Sequence, residues 1–538
     1  MIKIIFKHLG SKLLVKYITL GILAGTLNFL FVTLINNVVN HIIENNFKYI
    51  NIEYVFSFTL IIILFIWTRK VLSTSIISFS QKVFWDLRKH LLELVLNSSY
   101  SKFINQKNNI QSVLVNDIHV LTGASLSIID FFIAVILSIA CFFYLISISF
   151  PLFCITFCVV IFGVCMYYFK SESNVIQFEK TRDLETDFMQ NFDSIVDGFK
   201  EIYINPKKGR YIFKNKIEKI SSESYLNNVS ALLGFLNNQI IGQVLFYVLV
   251  SSILVIFGIL LKIKVEDSIK FVFTLLYLLG SVQTVMSLLP SLTLANISIK
   301  KLLELKHELQ SVIPLENNEI CHNTSEFKEM VMENIEFKYD QNDEFSVGPI
   351  NFRLNKGEIV FLYGANGSGK TTFINSLIGL SIPHKGNIIF DGNIITKENY
   401  SNYRSNFSVV FSDFYLFDEI LGIEYINSEE LNYYLKLFEI DKKVTVYENK
   451  YSTTNLSTGQ RKRLALISLL LEKRPILVLD EWAADQDPYF RKKFYTEILP
   501  LLKNEGFTIV AITHDDNYYC YADKLFRMDY GKLNSHQL

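Results

Sequence analysis

Gly364-Ala365-Asn366-Gly367-Ser368-Gly369-Lys370-Thr371-Thr372 fits the pattern G-x-x-x-x-G-K-[ST]. The run before it, Glu358-Ile359-Val360-Phe361-Leu362-Tyr363, is apolar and β-prone and reads as a buried strand. The run after it, Thr372-Phe373-Ile374-Asn375-Ser376-Leu377-Ile378, reads as the opening of a helix. A glycine-rich turn between strand and helix lets backbone N–H groups and a helix N-terminus converge on one anion. In such a loop Lys370 is placed to neutralise the β- and γ-phosphates of a nucleotide, and the Thr371 hydroxyl to hold Mg²⁺.

Outward from this stretch, the composition points to a membrane. The chain has 538 residues, too many for one domain, and half of them are hydrophobic. Formal net charge is zero, which gives no general attraction to nucleic acid. The six cysteines form no C-x-x-C pair, and four lie in apolar stretches, so they read as small buried hydrophobes.

Crossing ~30 Å of hydrocarbon takes about 20 apolar helical residues. Six runs qualify: 14–39, 55–79, 127–148, 151–169, 240–261 and 269–292. Basic Lys3, Lys7 and Lys12 precede the first, as in a signal peptide. Its apolar stretch is longer than a signal's core and no small-residue cleavage site follows, so it reads as retained. Lysine and arginine concentrate before the first span, between the second and third, and between the fourth and fifth, which assigns those segments to the cytoplasm. Lys262, Lys264 and Lys270, between the last two spans, are the exception to that pattern. The inner segments are long and helix-patterned, so the spans are expected to continue as helices beyond the bilayer. They should turn near 100–109 and 197–211, where Gly198 and Pro206 break the pattern.

Asp130, near the inner end of the third span, is a candidate for a cargo or gating role; a position at the water interface is the competing reading. Asn28, Asn36, Asn237, Asn238, Gln239, Gln243 and Gln283 either line a polar cavity or hydrogen-bond between helices. Pro290 is placed to kink the sixth span.

The boundaries that follow are a six-span domain over 1–310, a polar linker over 311–326, and an α/β nucleotide domain over 327–538. In the last, Tyr339 ends a strand 25 residues before Gly364 and is a candidate to stack on adenine, against the plainer reading of an edge-strand tyrosine. Leu456-Ser457-Thr458-Gly459-Gln460 opens a second helix whose N-terminus can bind an anion. Pro475-Ile476-Leu477-Val478-Leu479-Asp480-Glu481 is a buried strand ending in two acids. Asp480 is placed to complete the Mg²⁺ shell, and Glu481 to act as general base toward a water. His514 follows another strand, 33 residues after Glu481.

Together these residues resemble the ATP-binding cassette family. The resemblance implies a phosphate loop over 364–372 binding ATP with Mg²⁺ through Gly364, Asn366, Gly367, Ser368, Gly369, Lys370, Thr371 and Thr372. It implies a signature at LSTGQ, with Ser457, Gly459 and Gln460 as phosphate contacts. It also implies a metal-holding Asp480, a catalytic Glu481, a D-loop aspartate at Asp485, a switch histidine at His514 and an adenine-stacking Tyr339. The six spans ahead of the cassette resemble exporter-type half-transporters. The wording of 456–495 and of 410–417, VFSDFYLF, is similar to the cyclic-peptide and siderophore exporter group: pyoverdine-, syringomycin- and lasso-peptide-exporter-like proteins of Gram-negative inner membranes. Two positions depart from the wider family. Ser412 stands where a glutamine is usual, so that either a water or neighbouring Asp413 takes the glutamine's part, and Thr458 replaces a glycine.

One cassette with six spans is half a transporter, so the resemblance implies a homodimer in the bacterial inner membrane. Each chain would lend its signature end to the other's phosphate loop, and ATP hydrolysis would drive outward movement of a peptide-like or siderophore-like cargo. The rival readings are export of a lipid or hydrophobic drug by the same fold, and a membrane-anchored regulatory ATPase that moves nothing. No protease domain is expected ahead of the spans, since the first begins near residue 14.

Overall fold

The computed structural model describes residues 11–44, 52–257, 260–261, 263–309, 327–338 and 346–536. The chain divides into two units, one of Met1–Ser98 with Lys102–Gln310, the other of Ser311–Leu538 with Ser99–Ser101.

The first unit is helical. Six helices are long and apolar enough to cross a bilayer: α1 (Ser11–Glu44), α2 (Ile52–Leu96), α3 (Ile118–Ile148), α4 (Phe150–Asp197), α5 (Glu218–Ser252) and α6 (Val265–Leu309). Four of them are more than twice as long as the ~20 residues a bilayer requires: α2 and α6 have 45 residues, α4 has 48, and the fifth span runs over Pro206–Phe257. The turns expected near 100–109 and 197–211 are short helices, Tyr100–Ser112 in the first case, and Phe199–Ile204 followed by Pro206–Ile212 in the second. Gly198 separates α4 from Phe199–Ile204, and Asn205 separates that helix from Pro206–Ile212, accepting from the Lys207 N–H as a cap. α6 runs through Pro290 as one element.

Helices α1, α2, α3 and α6 pack among themselves, whereas α4 packs chiefly along α5. Asn36 donates to the Thr274 hydroxyl at 3.2 Å, one of the helix-to-helix bonds that the sequence left as an alternative to cavity lining. Where the long helices leave the apolar band, a buried ion pair joins them. The Arg182 guanidinium donates to both Asp117 oxygens, at 2.9 and 2.5 Å, and to the Ser112 hydroxyl at 2.9 Å.

The cysteines correct an expectation. Cys141 is buried, but Cys154, Cys158, Cys165 and Cys520 are exposed. The first three of these sit on α4, an apolar span, where the chain's own helices leave them uncovered. Cys321 lies outside the described residues.

The second unit is α/β. Strands β1 (Glu329–Lys338), β2 (Ser346–Asn355), β4 (Lys385–Phe390) and β5 (Asn393–Ile394) form a four-stranded antiparallel sheet in the order β2-β1-β4-β5, and β7 (Val446–Tyr447) pairs with β8 (Lys450–Tyr451). In a six-stranded sheet with β12 (Lys532–His536) at one edge, β3 (Ile359–Tyr363), β6 (Phe407–Val410), β9 (Ile476–Asp480), β10 (Thr508–Ile512) and β11 (Lys524–Asp529) are parallel, in the order β12-β11-β3-β10-β9-β6. Their unbroken apolar runs follow from burial on both faces. Phe361, Leu479 and Ala511 join one hydrophobic core, while Val360, Leu362, Val478 and Val510 join the other. Because β10 lies between β3 and β9, the turns that follow these three strands emerge side by side at one edge of the sheet.

Candidate nucleotide site

The glycine-rich stretch connects β3 to helix α7 (Lys370–Leu377). Gly364, Gly367 and Gly369 take φ of 156°, 77° and 104°, values that bring the backbone round on itself and that other residues resist. A Cβ at Gly364 would lie 2.3 Å from the Met528 carbonyl oxygen, so the loop's start is closed against β11. Lys370 is buried, and its Nζ donates to the Gly364 and Ala365 carbonyls at 2.9 and 3.0 Å. The lysine thus bends back over its own loop and carries its charge into the curl. Asn366 and Thr371 are exposed; Ser368 and Thr372 are buried.

β9 delivers the two acids. Asp480 is buried and ends the strand opposite Ile512 of β10. Glu481 follows in the left-handed region, φ 50°, an uncommon conformation for a residue with a side chain. Its N–H bonds to the Ile512 carbonyl at 3.2 Å, which turns its carboxylate toward the residues after β10. There His514 Nε2 lies 3.2 Å from Glu481 Oε1. Burial, and next the charge of Glu481, push the Asp480 carboxyl up from its ordinary range, against hydrogen bonds from Ser412 and the charge of Lys462.

Ser412 therefore touches the site directly. Its hydroxyl and its backbone N–H face Asp480 and act to hold that carboxyl down against burial.

The signature opens helix α8 (Thr458–Leu471) through a capping box, in which the Ser457 hydroxyl accepts from the Gln460 N–H and the Gln460 side chain from the Ser457 N–H. That end is fastened to the segment after β9. Lys462, itself buried, donates to the Glu481 carbonyl at 3.0 Å and pairs with Asp485 at 2.7 Å. The Trp482 indole N–H donates to the Lys462 carbonyl at 3.0 Å, and Gln486 donates to the Gly459 carbonyl at 3.1 Å. A Cβ on Gly459 would lie 2.6 Å from the Asp485 carbonyl oxygen, so this position admits glycine alone. Arg463 adds bonds to Gln486 at 2.8 Å and Asp487 at 2.9 Å, and stacks over Phe490 at 3.4 Å.

The structure thus brings Lys370, Asp480, Glu481 and His514 to one edge of the sheet. It sets Ser457, Gly459 and Gln460 at the start of a helix that packs on β6, three strands across from β3. Tyr339 lies outside the described residues. Sequence reasoning missed Lys462, which sits in Arg461-Lys462-Arg463 and reads there as solvated charge. It also missed Arg69, whose guanidinium pairs with Asp130 at 2.7 Å in the membrane unit.

The residues fit a nucleotide with Mg²⁺. Among the described residues the buried Ser368 hydroxyl, within the loop, has no hydrogen-bond partner, and the first turn of α7 presents N–H groups that a helix cannot satisfy internally. Asp480 is a buried acid beside a second acid, a pair that a divalent cation relieves. Mg²⁺ takes one or two protein oxygens together with phosphate and water, so a cage of several carboxylates is not required.

A family model described as ABC transporter matches residues 347–484. The ATP-binding protein SyrD of Pseudomonas syringae pv. syringae is 33% identical over 405 residues, which cover 73% of this chain and 72% of SyrD. The energy-coupling factor transporter ATP-binding protein EcfA1 of Staphylococcus aureus is 27% identical over 213 residues, 38% of this chain and 79% of EcfA1. A solved structure of a bacterial Atm1-family ABC exporter with ATP bound superposes with a TM-score of 0.82 at 15% identity, covering 97% of this chain and 95% of that one. The fold is that of an exporter-type half-transporter, six spans followed by one P-loop ATPase domain. The chain belongs to the ABC transporter family, whose ATPase activity is coupled to transport across a membrane.

Proposed function

We propose that two copies of this chain form an exporter that moves a peptide-like or siderophore-like compound from the cytoplasm across the bacterial inner membrane by alternating access. The observation that carries the dimer is the separation of the two anion-binding helix ends. α7 follows β3, α8 packs on β6, and two strands lie between them. A signature end that cannot fold onto its own phosphate loop is lent to a second chain's. The paired helices α4 and α5 support the same reading, because the turn between them leaves Phe199, Tyr203, Ile204 and Tyr211 exposed, an apolar tip that a second copy would cover.

Within each site the residues divide the work. Gly364–Gly369 backbone and Lys370 hold the phosphates, Tyr339 stacks on the base, and Thr371 with Asp480 hold Mg²⁺. Glu481, held by His514, takes a proton from water, and His514 bonds the terminal phosphate oxygen. Ser457, Gly459 and Gln460 of the second chain close the site. Bound ATP supplies the cleavable phosphoanhydride and the anionic charge that both helix ends recognise. The domain boundaries are 1–310, 311–326 and 327–538, with the last domain in the cytoplasm, as the distribution of lysine and arginine indicates. The cargo class rests on the wording of 456–495 and 410–417 and on the extent of the likeness to SyrD.

The test is direct. Purified Glu481→Gln with ATP and magnesium should run as a dimer on light-scattering chromatography; a strict monomer overturns the dimeric mechanism. Inside-out proteoliposomes should take up a cyclic lipopeptide or a siderophore in an ATP-dependent way. Uptake of lipid or hydrophobic drug alone reassigns the cargo, and ATPase activity with no uptake of any compound favours a regulatory ATPase.

A further inference from the structure

A cavity of about 510 Å³ opens within the membrane unit, and its polar lining comes from four different helices: Asn28, Arg69, Asp130, Tyr277, Ser281 and Thr284. At ~1.5 Å per residue, Asn28, Arg69, Asp130 and Ser281 each lie roughly 24–27 Å from the ends of their helices at Glu44, Ile52, Ile148 and Val265. Four helices thus place hydrogen-bonding groups at one depth, near the far edge of a ~30 Å hydrocarbon layer. Toward the edge of the layer an ionisable side chain costs less than at its centre, and pairing lowers that cost further. Arg69 and Asp130 meet at 2.7 Å, one guanidinium nitrogen on one carboxylate oxygen, and their side chains remain 42% and 44% exposed. The guanidinium has five N–H donors and the carboxylate two oxygens, so one such bond leaves most of both groups open to the cavity.

We propose that this ion pair is the recognition point for cargo, and that it selects compounds carrying both an anionic and a cationic group, such as a peptide with a carboxylate and an ammonium. The inference rests on the export reading given above and narrows its cargo. A lone anion on Arg69 competes with Asp130 and adds net charge to a cavity walled by apolar helices; a lone cation on Asp130 does the same with opposite sign. A ligand bearing both groups exchanges one neutral pair for two, with Arg69 holding the carboxylate and Asp130 the ammonium. The volume is that of an ordinary small-ligand pocket, which accommodates the polar end of a cargo while its apolar remainder lies along the helices. Asn28, Tyr277, Ser281 and Thr284 supply neutral bonds for peptide groups.

The experiment uses the full chain in nanodiscs and one apolar tripeptide in four forms: free-ended, N-acetylated, C-amidated and blocked at both ends. Calorimetric titration should show the free-ended form binding about tenfold more tightly than either singly blocked form, the value of one charge-assisted contact. Arg69→Gln should erase the penalty for amidation and keep that for acetylation; Asp130→Asn should do the reverse. Equal binding of all four forms to the wild-type chain overturns the proposal without recourse to any variant. So does an equal loss across all four forms in both variants, the result expected of a pair that only braces two helices. ATP-dependent vesicle uptake of the doubly blocked form without preference for the free-ended one removes this site and leaves the export reading standing. Absence of uptake for every compound tested removes both.

Discussion

His514 Nε2 stands 3.2 Å from Glu481 Oε1, and the two side chains come from the ends of neighbouring parallel strands. The contact fixes the carboxylate at the edge of the sheet from which the phosphate loop also emerges. Glu481→Gln keeps the shape and removes the base. Its ATP hydrolysis should fall by roughly 10²–10³-fold while ATP binding persists. His514→Ala leaves the carboxylate unheld and should lower the rate by about 10²-fold. Phosphate release and equilibrium nucleotide binding, measured on the same preparations, separate the two effects. Wild-type turnover in Glu481→Gln would remove it from the role of base.

Gly459 has no room for a methyl group, since the Asp485 carbonyl oxygen would lie 2.6 Å from it. In Gly459→Ala the segment after β9 must shift, at a cost of about 1–3 kcal/mol typical of overpacking. The ATPase rate should drop at least tenfold with the phosphate loop's own affinity for nucleotide retained. An unchanged rate would show that this close approach is dispensable.

Ser412 turns its hydroxyl and its backbone N–H toward Asp480, and both act to lower that carboxyl's pKa. Ser412→Ala removes one of these two groups, and effects of about tenfold or more on metal use are typical for such outer partners. The magnesium concentration for half-maximal hydrolysis should rise by that factor, and excess magnesium should restore the rate. A variant with the wild-type magnesium dependence would reduce the serine to a filler.

Asp117 and Arg182 are buried together, at 0% and 8% side-chain exposure. Removing Arg182 strands the Asp117 charge, so Arg182→Met should destabilise the helical unit by about 3–5 kcal/mol, whereas Asp117→Asn should cost less because Arg182 keeps Glu185 as a partner at 2.7 Å. Replacing both, Asp117→Leu with Arg182→Met, should cost far less. Thermal unfolding in detergent distinguishes these outcomes; equal losses in single and double variants would mean the pair contributes net stability.

Glu358 immediately precedes β3 and accepts from Lys524 Nζ and the Asn355 side chain, both at 2.7 Å, and from the Asn355 N–H at 2.9 Å. Burial pushes its carboxyl up, but these bonds and the lysine charge outweigh it, and the carboxyl ends below its usual range. A depressed carboxyl contributes stability that is present above its unfolded value, ~4.3, and is lost as pH falls through its folded value. Glu358→Gln should therefore unfold at a lower temperature than wild type at pH 7, by about 1–2 kcal/mol. The difference should shrink below pH ~4. A difference independent of pH would assign the loss to something other than the charge.

Much of the nucleotide domain was legible in the chain because its chemistry is local. The phosphate loop needs its glycines in one stretch, and the Asp480–Glu481 pair needs only a buried strand before it. The spans were legible from the length of their apolar runs, and the short helices at Tyr100–Ser112 and Phe199–Ile204 from the breaks in pattern. What stayed hidden depends on partners distant in sequence. Lys462 is buried by residues some 20 positions on, yet its neighbours Arg461 and Arg463 make it read as surface. Arg69 stands beside Lys70 inside an apolar run, and only the packing of α2 on α3 shows that Asp130, 61 residues later, pairs with it. Cys154, Cys158 and Cys165 failed for the opposite reason: an apolar neighbourhood in sequence does not say whether protein or lipid provides it.

Lys462, Trp482 and Gln486 weld the start of α8 to the backbone that carries Glu481. In a pair of chains with exchanged helix ends, this welded piece faces one reaction centre with its base and the other with its signature. Neither centre then keeps time independently. A mixed pair with Glu481 disabled on one side should run at well below half speed, its healthy centre slowed by a mate it never touches directly.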